Sequence, residues 1–180
     1  LKKRCNLMML LFSIIAITLL ALAFVSLKYN KIKKEDPGTP AMQAISDAIH
    51  EGAIAFLNKE YMVIIAFGFI IGILIMIFLS IKIAIAFVLG AVFSAFAGNI
   101  GMRIATKANV RTAAATKKNI NEGLNIAFSS GAIMSLTVVS LGLLGITLLY
   151  ILFKDPRIIY GFGFGASSIA LFARVGGGIY

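Results

Sequence analysis

Arg174 is the residue of this 180-residue chain whose type and position best suit chemistry inside a membrane. It follows the sixteen uncharged residues 158–173 and precedes Val175 and three glycines at 176–178. An ionised side chain within a membrane span costs about 2.5–3.5 kcal/mol on insertion scales, so such charges usually pair inside the helix bundle and mark ion paths. The alternative is that Arg174 simply ends its helix and reaches the aqueous surface.

The glycines that follow Arg174 favour the first interpretation, because they let neighbouring helices approach the guanidinium closely. A buried arginine needs an acidic partner, yet all seven acidic residues lie in loops, surface helices or span edges. The partner must then come from outside these residues. The chain also begins with Leu1 and stops directly after the glycine cluster. We therefore expect a portion of a longer protein, although Leu1 could also reflect an alternative start codon.

Other patterns that support catalysis or metal binding are absent from the sequence. Cys5 and His50 are the single cysteine and the single histidine, which excludes an intrachain disulfide, a cysteine-based metal cluster and a multi-histidine site. The chain contains no nucleophile elbow and no Walker motif. The glycine-rich run 161–165 lacks the residues that follow in a nucleotide-binding loop. The sequence predicts no catalytic and no metal-binding residue in this chain.

Composition defines the elements that must position Arg174. Hydrophobic residues make up 60% of the chain and charged residues 13%, and the mean hydropathy is +0.98. Soluble domains average about 45–50% apolar and about 25% charged residues. Because a spanning helix needs about 20 apolar residues, the predicted fold class is all-α, a polytopic membrane helix bundle in which 1–180 form a single transmembrane portion. The predicted spans are 7–27, 61–79, 81–102, 126–153 and 158–179.

The first span could instead be a signal peptide. Lys2, Lys3 and Arg4 form a basic leading region, and residues 21–23 resemble a cleavage site. The apolar run is nevertheless longer than the usual 7–15 residues of a signal core, and four more spans follow. We predict a retained helix.

The basic segment 28–60 separates the first span from the second, and the basic segment 103–125 separates the third span from the fourth. Thr39 and Pro40 suit the N-cap and the first position of a helix. The following helix is predicted to be amphipathic and to lie at the membrane surface. Its apolar positions are Met42, Ile45, Ile49, Ala53, Phe56 and Leu57, whereas Asp47, His50, Glu51 and Asn58 fall mostly on the other side.

The third span is predicted to continue as a helix to Ala115, and 119–123 to turn into the fourth span. A basic helix could bind nucleic acid, but its anchoring between two spans argues against that. Lys and Arg counts near the spans set the orientation. The side that holds 28–60 and 103–125 carries ten of these residues and the other side six. The two segments are therefore predicted to be cytoplasmic and the amino terminus outside, although the basic residues at that terminus argue the other way.

Small residues indicate where helices approach each other. Gly68 with Gly72 and Gly161 with Gly165 form two GxxxG pairs. Further glycines lie at positions 98, 101, 142 and 145. Helices in lipid associate through such small faces, so these positions are predicted to be tight contacts.

The run 170–180, ALFARVGGGIY, resembles the fifth span of the membrane-integral, ion-pumping pyrophosphatases. Residues 89–112 resemble the third span of that family with its cytoplasmic extension. Residues 128–134 resemble the start of its fourth span, and 46–57 the helix before its second span. The resemblance covers residues 40–180 and is weakest in the first span.

The resemblance implies a homodimeric pump of about sixteen helices in the cell membrane, which hydrolyses magnesium pyrophosphate on the cytoplasmic side and moves H⁺ or Na⁺ outward. Arg174 then corresponds to the family's ion-gate arginine. The aspartates and lysines that bind substrate and Mg²⁺ would follow Tyr180, so the fragment alone is expected to be inactive. Some members of the family also use K⁺. The implied partners are pyrophosphate and membrane lipid.

Two other functions stay open at this point. The chain could be a small five-helix membrane protein that binds or scaffolds partners without catalysis. It could also be part of a secondary transporter, but the inverted repeats typical of that class are absent. The resemblance does not decide between H⁺ and Na⁺.

Overall fold

The fold consists of five long helices joined by short connections. The computed structural model describes the backbone of residues 2–179 and the side chains of 6–174. The helices are α1 (Lys2–Lys33), α2 (Pro40–Phe78), α3 (Ile81–Lys118), α4 (Ile120–Phe153) and α5 (Pro156–Ile179). No strand occurs in residues 2–179, which confirms the predicted all-α fold class.

Four of these helices are long and apolar enough to cross a membrane, judged over the described residues. They are α1, from Asn6 onward, and all of α2, α3 and α4. Helix α5 is shorter, has an arginine at 157 and at 174, and contains many glycines and serines between them. The crossing of the membrane by α5, and the predicted boundaries of all five spans, therefore remain predictions.

The ends of the helices follow local capping chemistry. The Thr39 hydroxyl accepts a hydrogen bond from the Met42 amide at 3.4 Å, and Pro40 is the first helical residue, which confirms the predicted start of α2. Asn119 alone separates α3 from α4. Its amide donates to the Ala115 carbonyl at 2.9 Å, and its side chain accepts from the Asn121 amide at 2.9 Å. The predicted turn over 119–123 is therefore wrong, because one capping residue suffices.

Helix α2 runs without interruption from the predicted surface segment into the predicted span. The apolar face predicted for its first part only partly coincides with the face that packs in the bundle. Ile45 and Ile49 are exposed, whereas His50 is half-buried and Ala53 and Leu57 are buried. The predicted position of this part of the helix at the membrane surface stays a prediction. Packing against α3 selects the buried face, and the apolar residues on the opposite face are left outward.

Helix α3 is the centre of the bundle, since it contacts all four other helices. Three clusters of buried side chains include residues of α3, and one of them joins Ala84 and Phe87 to Ile75 of α2. Toward the basic end, α1, α3 and α4 contribute Val25, Ile32, Ile104, Ala108, Ile126 and Ile133. Toward the other end, α3, α4 and α5 contribute Ala86, Leu149, Ile158 and Phe162. These clusters hold α3 against α1 and α4 near its basic end, and against α4 and α5 near its other end.

The outer surface of the bundle is strongly apolar. Leu20, Leu27, Ile65, Phe69 and Phe128 are each at least two-thirds exposed. Isolated exposed apolar residues are normal in soluble proteins, but a continuous apolar exterior of this extent is typical of helices that face lipid or further helices. The bundle therefore suits a membrane.

Helices α3 and α5 approach each other closely at three glycines. A methyl group at Gly165 would overlap the carbonyl of Phe87, and one at Gly161 would lie 2.6 Å from the carbonyl oxygen of Ile83. A methyl group at Gly90, on α3, would overlap the carbonyl of Phe162. These close approaches confirm the predicted contact of the second GxxxG pair.

The first GxxxG pair behaves differently. A methyl group at Gly68 or at Gly72 would meet no atom of the described residues within 4 Å. The predicted tight contact at this pair is therefore not made within the described bundle. Local sequence cannot distinguish the two pairs, because the difference depends on which helix packs there.

Substitution of Gly165 tests the close contact. We expect Gly165→Ala to lower the free energy of unfolding by about 1–3 kcal/mol, because the added methyl group forces two backbones apart. Gly163→Ala is the matched control, since a methyl group there meets no described atom within 4 Å. Thermal unfolding in detergent measures both variants. Equal midpoints for the two variants would contradict the close approach of α3 and α5.

Candidate functional site

The glycine contact places Arg174 beside α3. A Cβ atom at Gly98 would lie 3.6 Å from the Cβ of Ala173, so the residue before the arginine touches α3. The edge-to-face contact between Phe67 and Phe172, with centroids 5.8 Å apart, joins α2 to the same part of α5. The backbone of α5 stays helical through Ile179. Arg174 is therefore held within a helix near its carboxyl-terminal end.

Arg174 lines a cavity of about 720 Å³ that lies between α3, α4 and α5. The polar side chains in its wall are Ser94, Ser167 and Arg174 itself, and most other lining residues are apolar. The guanidinium is exposed at this cavity. The wall contains Phe93, Gly98, Met134, Leu141, Phe162 and Ala170 among its apolar members.

The acidic partner predicted for Arg174 is not found in the described part of the chain. The ion pairs there are Lys118 with Asp36 at 2.9 Å and Arg157 with Asp155 at 3.2 Å, and the cavity wall holds no carboxylate. The five helices therefore bring Arg174 to a cavity without neutralising it. Its role as a gate remains a prediction.

A buried acid escaped the sequence analysis. The side chain of Glu60 on α2 is only 8% exposed, and its Oε1 atom has no hydrogen-bond partner among the described residues. Glu60 shares helical spacing with the buried residues Leu57 and Ile64, so an acid within an apolar register was the available signal. Because Glu60 lies just before the predicted span 61–79, the sequence alone favours an acid at the membrane surface over a buried one.

Polar groups near Glu60 join α2 to α3. The Tyr61 hydroxyl donates a hydrogen bond to the Ala95 carbonyl at 3.0 Å. On α3, the Arg103 Nε donates to the Asn99 Oδ1 at 2.7 Å. Glu60 is therefore an unpartnered carboxyl next to a hydrogen-bonded helix contact.

The basic extension of α3 is held by two further interhelical hydrogen bonds. His50 Nδ1 lies 2.8 Å from the hydroxyl of Thr106, which is buried and itself donates to the Met102 carbonyl at 3.0 Å. This arrangement suits the tautomer in which His50 Nδ1 carries the proton. Arg111 donates to the carbonyl of Lys33 at 3.4 Å, which ties α3 to α1.

The connection between α1 and α2 is fastened to the end of α3 by Asp36. The Gly38 amide donates to this carboxylate at 2.9 Å, as does the Lys118 ammonium at 2.9 Å. These two partners hold the pKa of Asp36 below its usual value. The stabilisation is present above the ordinary carboxyl pKa and is lost as the pH falls through the lowered value. Since both side chains are mostly exposed, the contribution is small.

The described residues contain no group of three or more histidine, cysteine or acidic side chains that could hold a metal ion. Among the described residues, Arg174 lines an apolar cavity, and the Glu60 Oε1 and Arg111 Nε atoms are buried without a hydrogen-bond partner.

The long apolar helices and the apolar exterior define a multi-pass membrane protein. The chain belongs to the inorganic H⁺ pyrophosphatase family, whose model matches residues 19–180. This match confirms the resemblance seen in the sequence.

Several relatives agree with this family. The chain is 46% identical over 164 residues to the K⁺-insensitive pyrophosphate-energized proton pump of Methanosarcina mazei, covering 90% of this chain and 24% of the relative. It is 39% identical over 188 residues to the K⁺-stimulated pyrophosphate-energized sodium pump of Thermotoga maritima, covering 91% and 26%. It is 43% identical over 170 residues to K⁺-insensitive pyrophosphate-energized proton pump 2 of Moorella thermoacetica, covering 90% and 25%. The chain thus spans about a quarter of the length of these relatives.

Neutralisation of Glu60 tests whether its carboxyl is unpartnered. We expect Glu60→Gln to raise the free energy of unfolding by about 1–3 kcal/mol, because an amide is less costly to bury than a carboxylate without a partner. Glu51→Gln is the control, since Glu51 is an exposed acid of the same helix. Thermal unfolding measures both. A lower midpoint for Glu60→Gln alone would show that the carboxylate is paired in the complete protein.

Proposed function

We propose that this chain is part of a pyrophosphate-energised ion pump, which hydrolyses magnesium pyrophosphate on the cytoplasmic side and moves H⁺ or Na⁺ outward. The observation that carries the proposal is the family match over residues 19–180, which includes Arg174. The names of the relatives supply the activity, since they are pyrophosphate-energised proton or sodium pumps. Because the sequence predicts no catalytic residue within this chain, we propose that hydrolysis takes place in other parts of the protein.

Arg174 is the residue through which this chain acts in transport. Its guanidinium stays charged at all physiological pH values. It therefore repels cations when it is unpaired and lets them pass when a carboxylate neutralises it. Because no described acid pairs with it, a carboxylate from another part of the protein completes the gate. Movement of that carboxylate then opens or closes the path for the ion.

The cofactors follow from the family and from the chemistry of the substrate. Bound Mg²⁺ would neutralise the phosphate oxygens of pyrophosphate during hydrolysis. The relatives include pumps named as K⁺-stimulated and others named as K⁺-insensitive, so K⁺ is a cofactor in only part of the family. The role of this chain is to hold Arg174 and the ion path rather than to bind these cations.

The proposed orientation follows the basic residues. Segments 28–60 and 103–125 lie in the cytoplasm, and the amino terminus lies outside. The structure groups the basic ends of α1 and α3 at one end of the bundle, where Lys118 pairs with Asp36 and Arg111 bonds Lys33. With α5 crossing the membrane, Arg174 lies near the cytoplasmic side. The complete pump is proposed to be a homodimer in the cell membrane.

Replacement of Arg174 separates transport from substrate binding. We expect Arg174→Ala, made in the protein that carries this chain, to reduce ion uptake into vesicles about tenfold or more. The reason is that the carboxylate proposed to pair with Arg174 would lose its cationic partner. The KM for pyrophosphate should change little. Arg157→Ala is the control, since it removes the same charge from the opposite end of α5, where Arg157 pairs with Asp155. Wild-type uptake by Arg174→Ala would contradict the gate.

The same vesicles test the pump itself. Magnesium-dependent hydrolysis of pyrophosphate coupled to uptake of H⁺ or Na⁺ by the unaltered protein is the expected result. A protein that folds in the membrane but hydrolyses no pyrophosphate would favour the alternative, a non-catalytic five-helix scaffold.

A further inference from the structure

A small polar cavity at the basic end of the bundle lies between α1 and α4. Its volume is about 80 Å³, and it is separate from the cavity at Arg174. Helix α1 contributes Lys28 and Lys31, one turn apart, and Glu35 follows two residues after the end of this helix. Helix α4 contributes Asn125 and Ser129, one turn apart. The buried side chains of Ile32 and Ile126 form the apolar part of its wall.

The charged groups of this cavity form no ion pair among the described residues. The ion pairs there are formed by Lys118 and by Arg157, so Lys28, Lys31 and Glu35 are all unpaired. The Lys28 ammonium lies 5.6 Å from the centroid of the Phe24 ring, which leaves its other donors available. Two cations, one anion, an amide and a hydroxyl therefore line one small space.

The cavity lies where an apolar surface ends. One helical turn further into α1, Phe24 is partly exposed, and Leu20 and Ile17 continue the same line with 70% and 63% exposure. On α4 the line of Asn125 and Ser129 continues through Ala132 and Leu136. Helices α1 and α4 pack together along this length. Exposed apolar side chains of α1 thus lie next to a polar cavity, an arrangement that suits a lipid at a membrane interface.

We propose that this cavity binds the headgroup of a phospholipid that carries an amine, such as phosphatidylethanolamine. The phosphate lies between Lys28 and Lys31, and the ammonium group faces Glu35. Asn125 and Ser129 donate hydrogen bonds to the phosphate oxygens, and an acyl chain lies along the exposed apolar surface of α1 beside Phe24. Free phosphate shares the anionic chemistry, but it uses neither Glu35 nor this apolar surface. The proposal does not depend on the pumping activity.

The experiment uses the delipidated protein that carries this chain, in detergent. It is titrated with phosphatidylethanolamine, phosphatidylglycerol or phosphatidylcholine of identical acyl chains, and native mass spectrometry counts the bound lipids. The expected result is tightest binding of phosphatidylethanolamine. The double variant Lys28→Gln, Lys31→Gln should weaken that binding on the order of twentyfold, about fivefold for each lysine.

The double variant Lys33→Gln, Lys34→Gln is the matched control, because it removes the same charge from the same end of α1 without touching the cavity. The loss of binding in this control should be about tenfold smaller than the loss in the cavity variant. Equal losses in the two double variants would overturn the proposal, since they would show a diffuse attraction to the basic surface. Glu35→Gln should abolish the preference for phosphatidylethanolamine over phosphatidylglycerol, and an unchanged preference would overturn the assignment of the amine.

A milder variant keeps the test decisive if the double lysine variant does not fold. Asn125→Ala should weaken binding of phosphatidylethanolamine several-fold, whereas Asn121→Ala, at an exposed position of the same helix, should not. Equal binding by the two asparagine variants would contradict the site. Inorganic phosphate or pyrophosphate added to the mixture should not displace the lipid. Displacement by either anion at concentrations that match the lipid would show a phosphate site instead.

Discussion

The close approach of the α3 and α5 backbones is the constraint on which the rest of the structure depends. At Gly90, Gly161 and Gly165 no side chain separates the two helices, so their register cannot slide without a collision between backbone atoms. Phe162 fills the space next to this contact, with its ring edge-to-face to Phe93 at 6.0 Å. In lipid, where apolar side chains gain little by leaving the solvent, such packing supplies much of the specificity between helices.

The packing around α3 determines where two charged groups, Arg174 and Glu60, lie. Because α5 is fixed against α3, Arg174 stands at the wall of a cavity rather than at an arbitrary point of the surface. Glu60, on α2, is buried, and the next residue, Tyr61, donates a hydrogen bond to Ala95 of α3. An isolated charge costs more free energy inside a membrane than in water. Charged groups within a membrane therefore usually bind a proton, an ion or a group of opposite charge. The bundle thus holds opposite charges on separate helices around α3.

The basic end of the bundle has a different role. There, α3 extends beyond the apolar region and is tied to α2 through His50 and Thr106 and to α1 through Arg111. The unpaired lysines of α1 lie at the boundary between this polar region and the apolar exterior. A lipid headgroup bound there would fix α1, whose described residues contact α3 and α4.

Features governed by local chemistry could be predicted from the sequence. The cap at Thr39, the continuous α3, the end of α4 at Phe153 and the overall all-α class all follow from short-range patterns. Features governed by distant neighbours could not. Gly68 and Gly165 occur in equivalent motifs, yet only the second meets another backbone, and His50 turns inward because α3 offers it the Thr106 hydroxyl. Arg174 is predictable because its charge follows an uncharged apolar run and precedes three glycines, whereas Glu60 is not, because it lies where a surface helix becomes a span.

A designed disulfide measures the register of α3 and α5 most directly. A Cβ atom at Gly98 would lie 3.6 Å from that of Ala173, within the usual Cβ separation of about 3.5–4.5 Å for a disulfide. In a Cys5→Ser background, Gly98→Cys with Ala173→Cys should form the bond on mild oxidation, as detected by mass spectrometry of the linked peptides. The pair Gly98→Cys with Gly163→Cys should stay reduced. Failure of the first pair to link, or equal linkage of both, would contradict the placement of Arg174.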